Sequence, residues 1–158
     1  MGVGEDQSGI TSAVEATVPS GWQVAEHWHL SPEDPGVRIE VDVQPDASGE
    51  LLGHVVGQDG DALRSDLISY SEETLEWFAF RGAPAGVLRE FSWTAQDGGR
   101  HHELRLYAVA DHRRLLVRAS APEGLFSRHR LTFLDFLTQL SVRSEPRAHG
   151  ATSGESAR

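Results

Sequence analysis

Three observations in this sequence predict an α+β fold, an antiparallel β-sheet flanked by helices. Val37-Arg38-Ile39-Glu40-Val41-Asp42-Val43 alternates four β-branched residues with three charged ones, the pattern of a strand with one buried and one wet face. Residues 87–95, 102–109 and 114–120 form three further strand-like runs. They are separated by Gln96-Asp97-Gly98-Gly99 and by Ala110-Asp111-His112-Arg113, turns short enough to join only antiparallel neighbours. Residues 125–140 then carry Leu131, Phe133, Leu134, Leu137 and Leu140 as a broad apolar stripe at helical spacing. Strands joined by tight turns and closed by such a helix point to helices packed on one face of a sheet.

The remaining elements follow in chain order. Residues 14–18 form a first short strand, stopped by Pro19 and turned by Ser20-Gly21, and Trp22-Gln23-Val24 starts a second. Residues 31–36 are a loop with two prolines, and residues 44–49 turn again. Residues 51–56 read as a weak strand. Residues 61–71 read as a helix capped by Asp59 or Asp61, with Leu63, Leu67 and Tyr70 on one face. Residues 74–80 turn to β character with Trp77, Phe78 and Phe80, although a helix continued through 72–80 fits the same residues. Gly82-Ala83-Pro84-Ala85-Gly86 breaks the middle of the chain. Pro122 ends the last ladder because it cannot donate, and Ser127 is placed to cap the closing helix. Residues 1–13 and 144–158 are polar and small, without apolar periodicity, and are expected to be disordered tails of a single domain over residues 14–143.

Composition narrows the function. A chain of 158 residues suits one domain, and at this size roughly 68–70% of the unfolded surface is buried, enough for a core without staples. The absence of cysteine excludes disulfides, thiolate metal sites and a cysteine nucleophile. A net charge of −10, from 24 acidic and 14 basic residues, repels phosphate backbones and anionic lipid, so no nucleic-acid partner is expected. No apolar run approaches the ~20 residues of a membrane span, and no direct membrane insertion is expected. Residues 1–16 lack the basic and apolar regions of a signal peptide, so a cytoplasmic location is expected.

The order of these landmarks carries a family resemblance. Pro19-Ser20-Gly21-Trp22 after a first strand, Gly82-Ala83-Pro84-Ala85 before another, the double hairpin, and a final helix running into Leu140-Ser141-Val142 resemble the PsbP/Mog superfamily over residues 14–143. Its bacterial branches include LpqN/LpqT-type lipoproteins, DcrB-like proteins and Eag-type secretion chaperones. The resemblance implies an antiparallel sheet flanked by helices and a non-enzymatic role. Members bind a small GTPase, stabilise a photosystem or chaperone apolar helices of toxins. No catalytic residue carries over. The sequence departs from the lipoprotein branch in having no lipobox cysteine, which favours a cytoplasmic member.

No constellation of catalytic residues stands on this frame. His27-x-His29 would place two imidazoles on one face of a strand, but a tetrahedral zinc site needs further ligands and nothing fixes Glu26, Asp34 or Glu103 near them. His101 and His102 would point to opposite faces. Neither a metal nor a cofactor is expected. No Gly-x-Ser-x-Gly elbow is present, and Gly57-Gln58-Asp59-Gly60 lacks the Lys-Ser/Thr of a phosphate loop. Glu72, Glu73 and Glu76 read as a solvated face, because nothing beside them suggests the desolvation that shifts a pKa.

The informative residues are the aromatics. Trp77, Phe80, Phe91 and Trp93 belong to the core or, if one sheet face is uncovered, to a partner surface. The scarce basic residues, Arg113, Arg114, Arg118, Arg128 and Arg130, with Arg89 and Arg105 across the meander, either pair with the acidic excess or orient an acidic partner. The expected function is a non-enzymatic protein-binding module, an adaptor or chaperone for a secreted or membrane-associated partner, that docks on Trp77, Phe80, Phe91 and Trp93 with Arg89 and Arg105 setting orientation. A carrier of a small apolar ligand, or an enzyme, using a cavity between sheet and helices is the alternative. A homodimer through open sheet edges is the third.

Overall fold

The alternating stretch around residue 40 forms a central strand in the computed structural model, which describes residues 14–25, 29–32, 34–45, 51–81, 83–110 and 113–142. The expected tails at 1–13 and 144–158, most of the 44–49 turn, His27 and Gly82 lie outside the described residues. In chain order the elements are β1 (Val14–Glu15), β2 (Gln23–Ala25), β3 (His29–Ser31), β4 (Arg38–Pro45), α1 (Leu52–Asp66), β5 (Ile68–Phe80), β6 (Ala83–Thr94), β7 (Arg100–Ala110), β8 (Arg113–Pro122), α2 (Glu123–Gln139) and β9 (Ser141–Val142).

Seven of the described strands form one antiparallel sheet in the order β2-β3-β4-β8-β7-β6-β5. Its body is the five long strands β4, β8, β7, β6 and β5. The fold is therefore the α+β arrangement that the strand pattern predicts. The turn at 96–99 closes β6 onto β7 through Ala95 N–H to Gly99 O at 2.8 Å and Gly98 N–H to Ala95 O at 2.9 Å. Gly98 sits at φ +83°, where a side chain would be strained. At the far end β1 pairs with β9, setting Val14 opposite Val142.

The helices do not share a face. Successive residues of a strand point to opposite sides, so Leu106 and Val117, paired across β7 and β8, lie under α2, while their neighbours Tyr107 and Leu116 lie under α1. The α2 side holds the main core: Ile39, Val41, Leu88, Leu104, Leu106, Val117 and Ala119 against Phe126, Phe133, Phe136, Leu137 and Leu140. The α1 side has only a small apolar cluster of Val56, Val87 and Tyr107, flanked by Leu52 and Leu116.

Several element boundaries differ from the expectation. Residues 52–56 open α1 instead of forming a strand, because Leu52, Val56 and Leu63 recur on one helical face. Gly53, Gly57 and Gly60 lower the helix propensity of this segment and hide that period. Asp59 and Asp61 lie inside the helix, and Leu51 is the N-cap without a side-chain cap bond. The helix stops at Asp66, five residues earlier than its apolar spacing suggests, and Tyr70 belongs to β5, its ring 5.3 Å from that of Phe91. Residues 72–80 are strand. In α2, Pro122 and not Ser127 is the N-cap. Leu131 is 77% exposed, because the buried stripe runs through Phe126, Phe133, Phe136 and Leu137.

Phe133→Ala is expected to destabilise the fold by about 3–5 kcal/mol, the cost of a large core cavity. Leu131→Ala should stay within about 0.5 kcal/mol of the parent. Urea unfolding of the two variants, compared at constant m, checks both values.

Candidate functional site

On the α1 side the sheet presents charge where a core would ordinarily continue. Val87, Arg89, Phe91 and Trp93 on β6 share this face with Glu103, Arg105 and Tyr107 on β7 and with Glu72, Leu75 and Trp77 on β5, as the registers Glu72↔Phe91, Leu75↔Arg89, Trp77↔Val87, Arg89↔Arg105 and Val87↔Tyr107 require. Arg89 is only 1% exposed. Burial at that depth demands a partner for every N–H and for the charge. Nη1 donates to Tyr107 OH at 2.9 Å and Nη2 donates to Val56 O in α1 at 3.0 Å, while Nε makes no hydrogen bond and is compensated only by the charge of Glu72, whose Oε1 lies 3.0 Å away. The guanidinium also lies over the Tyr107 ring, 5.4 Å from its centroid.

Arg105 makes the matching set. Its Nη1 donates to both carboxylate oxygens of Asp59 at 3.1 and 2.9 Å, its Nε donates to Glu103, and its guanidinium lies 5.3 Å from the Phe91 ring centroid. Tyr107 OH donates to Asp59 Oδ2. Two guanidiniums thus meet three carboxylates, Asp59, Glu72 and Glu103, between helix and sheet. Burial, reinforced by the Asp59 carboxylate, pushes the Tyr107 hydroxyl well above its usual range, so it stays a donor. Burial also raises the Glu103 carboxyl above its usual value of 4.5, with Arg105 opposing.

Gly60 explains how the helix approaches so closely. A Cβ there would sit 2.6 Å from Arg89 Nη2 and 3.1 Å from Cζ. The Gly57-Gln58-Asp59-Gly60 stretch is therefore neither a phosphate loop nor a cap. It is the helix turn that seats Arg89 and holds Asp59 toward Arg105 and Tyr107.

Beside this network, α1 and β5 border a groove of about 490 Å³. Val56 and Val87 form its floor, Leu75 and Trp77 line its β5 side, Gly53 and Gly57 line its helix side, and Asp61, Arg64 and Glu76 lie around it. Trp77 is 74% exposed and Leu75 47%. A second cavity, of about 370 Å³, is lined by Asp42, Gln44, Gln58, Asp59, Arg114 and Arg118 together with Leu52, Val55, Leu115 and Leu116.

The six residues expected to dock a partner do not form one surface. Trp77 stands in solvent at the groove. Phe80 points to the other face and is buried in the α2-side core. Phe91 is fully buried, its ring between those of Tyr70 and Trp93, and Trp93 is half-buried against His101. Trp93 shares the Trp77 face but lies about 20 Å along the strands, six residues at ~3.3 Å each. Arg89 and Arg105 are enclosed by their carboxylates, so they hold α1 to the sheet and cannot orient a partner directly. Arg130 is bidentate with Glu90. His101 and His102 point to opposite faces, His102 stacking on Phe126. Among the described residues no group of three potential ligands gathers as a metal site. Asp59, Gly60, Glu72, Glu103 and Tyr107 are the site residues that sequence reasoning missed. The signal available was a glycine inside an amphipathic segment together with Arg89, Glu103 and Arg105 at alternate positions of apolar strands.

No family model and no curated protein matches the sequence. Solved structures do match. A Pseudomonas aeruginosa protein of unknown function, PA94, aligns at TM-score 0.63 and 13% identity, covering 81% of this chain and 90% of that one. The cyanobacterial PsbP (CyanoP) of Synechocystis sp. PCC 6803 aligns at TM-score 0.60 and 11% identity, covering 82% and 86%. LpqN of Mycobacterium tuberculosis, described as involved in cell envelope biogenesis, aligns at 0.62 and 11%, covering 82% of each chain. The chain shares the fold of these structures, a PsbP-like α+β arrangement.

Arg89→Met should cost about 1–3 kcal/mol, because Tyr107 OH, Val56 O and Glu72 lose the donor that faces them. Gly60→Ala should cost about 1–3 kcal/mol through the clash with the guanidinium, whereas Gly57→Ala, where a Cβ meets nothing within 4 Å, should gain up to ~1 kcal/mol. Thermal unfolding of the three variants separates these outcomes. The pH dependence follows from Glu103. Its folded-state pKa is raised, so the folded chain holds the proton longer, and stability falls as pH climbs from 4.5 through the folded value. Glu103→Gln keeps an acceptor for Arg105 and should flatten that fall, as read from unfolding free energy against pH.

Proposed function

We propose that the chain is a non-catalytic protein-binding module, a cytoplasmic adaptor or chaperone for a secreted or membrane-associated partner. The observation that carries this reading is Trp77, an indole 74% exposed next to Leu75 on the rim of an apolar-floored groove. Two adjacent exposed apolar side chains beside an open groove make a contiguous patch suited to contact, and tryptophan is among the residues enriched at interface hot spots. Arg89 and Arg105 support the surface from beneath by fixing α1 over the sheet, so the groove is preformed. The likeness to CyanoP and LpqN supports the reading at the level of fold alone. The mixed charges lining the second cavity suit a small apolar ligand poorly, which sets the carrier alternative behind.

A pull-down from lysate with the wild-type chain beside Trp77→Ala and Leu131→Ala tests the proposal. A protein retained by wild type and Leu131→Ala and lost with Trp77→Ala supports it. A retained set that is the same for all three baits overturns the Trp77 surface.

A further inference from the structure

The strand that carries Trp77 offers more than a side chain. β5 is an end strand of the sheet, hydrogen-bonded to β6 on one side and to no other described strand. Its pairing with β6 is irregular between Ile68 and Ser71, between Glu72 and Thr74, and between Phe78 and Phe80. Bulges of this kind blunt an edge. Between them, residues 74–78 pair with residues 86–90 without interruption, leaving one regular stretch of outward backbone. On its α1 side this stretch displays Leu75 and Trp77. On its α2 side it displays Thr74, Glu76 and the half-buried Phe78, with Glu73 immediately before the stretch.

Charge decides what can lie there. β5 contains Glu72, Glu73 and Glu76 and no lysine or arginine. Glu72 is occupied by Arg89 and Arg64, Glu73 has His102 Nδ1 at 3.6 Å, and Glu76 is exposed. A second copy paired edge to edge through β5 would bring two sets of these carboxylates together with no basic side chain on either strand to offset them. A strand with basic side chains on one face and apolar ones on the other meets complementary groups on both. Resting on the protein-binding reading above, we propose that the outer edge of residues 74–78 takes up an extended partner segment as an added strand. The segment alternates apolar side chains, packed beside Leu75 and Trp77, with basic ones facing Glu73 and Glu76.

The probe is a capped octapeptide alternating valine and lysine, with a control of the same charge in which proline replaces valine and removes those N–H donors. Hydrogen exchange of the whole chain is the readout. The valine–lysine peptide is expected to protect alternate amides within residues 74–78, to bind about tenfold more weakly to Glu76→Lys, and to outcompete the proline peptide. Equal binding of the proline peptide would show attraction by charge alone and overturn strand addition, as would protection confined to other segments. Doubled mass by light scattering, with residues 74–78 protected before any peptide is added, would assign the edge to a second copy. A protein captured through Trp77 that leaves these amides unprotected would overturn strand addition while the protein-binding reading stands.

Discussion

The architecture of the α1 side rests on one buried guanidinium. Arg89 reaches from the middle of β6 to the backbone carbonyl of Val56, so a strand is bonded to the main chain of the helix that crosses it. The apolar cluster on this side is small and cannot fix the helix by burial alone. Directional bonds substitute for area. A hydrophobic contact tolerates sliding by an ångström, whereas a guanidinium with defined donors holds both distance and rotation.

That constraint propagates outward. Because Gly60 has no side chain, the helix lies close against Arg89, and because Asp59 is the residue before it, the same turn satisfies Arg105 and Tyr107. Glu72 closes the circuit from β5. The edge strand is thereby anchored to the middle of the sheet through a side chain as well as through its ladder. The two faces follow different physics: the α2 side is stabilised by burial of large aromatic and aliphatic groups, and the α1 side by a compensated polar network. A network of this type is sensitive to partial loss, since removing one member leaves desolvated partners short of a hydrogen bond.

The sheet was legible because its signals are local. Alternation in residues 37–43, the Asp97-Gly98 turn and Pro122 each act within a few residues, and the strands they delimit are present with small shifts at the ends. The start of α1 was not legible, because three glycines lower its propensity and its justification, the seat for Arg89, lies some thirty residues away in sequence. The site was legible only in part. Trp77 can be named from composition and spacing, but the exposure that distinguishes it from Phe91 depends on which strand stands at the edge. Arginines on a strand look like surface charges until the helix above them is placed. Leu131 failed for a related reason: an apolar residue within a helical stripe is buried only if the helix rotates it toward the sheet, and here Phe133 and Phe136 set the rotation.

The pairing of β1 with β9 has a mechanical consequence. Val14 and Val142 are opposite each other, so β1 and β9 run antiparallel with their outer ends side by side. Tension applied between these points pulls across the short ladder, so its bonds are loaded one after another and not together. The ladder therefore opens like a zip at low force, and the seven-stranded sheet experiences load only after that clasp has released. A domain attached at both ends is cushioned by two strands of two residues each.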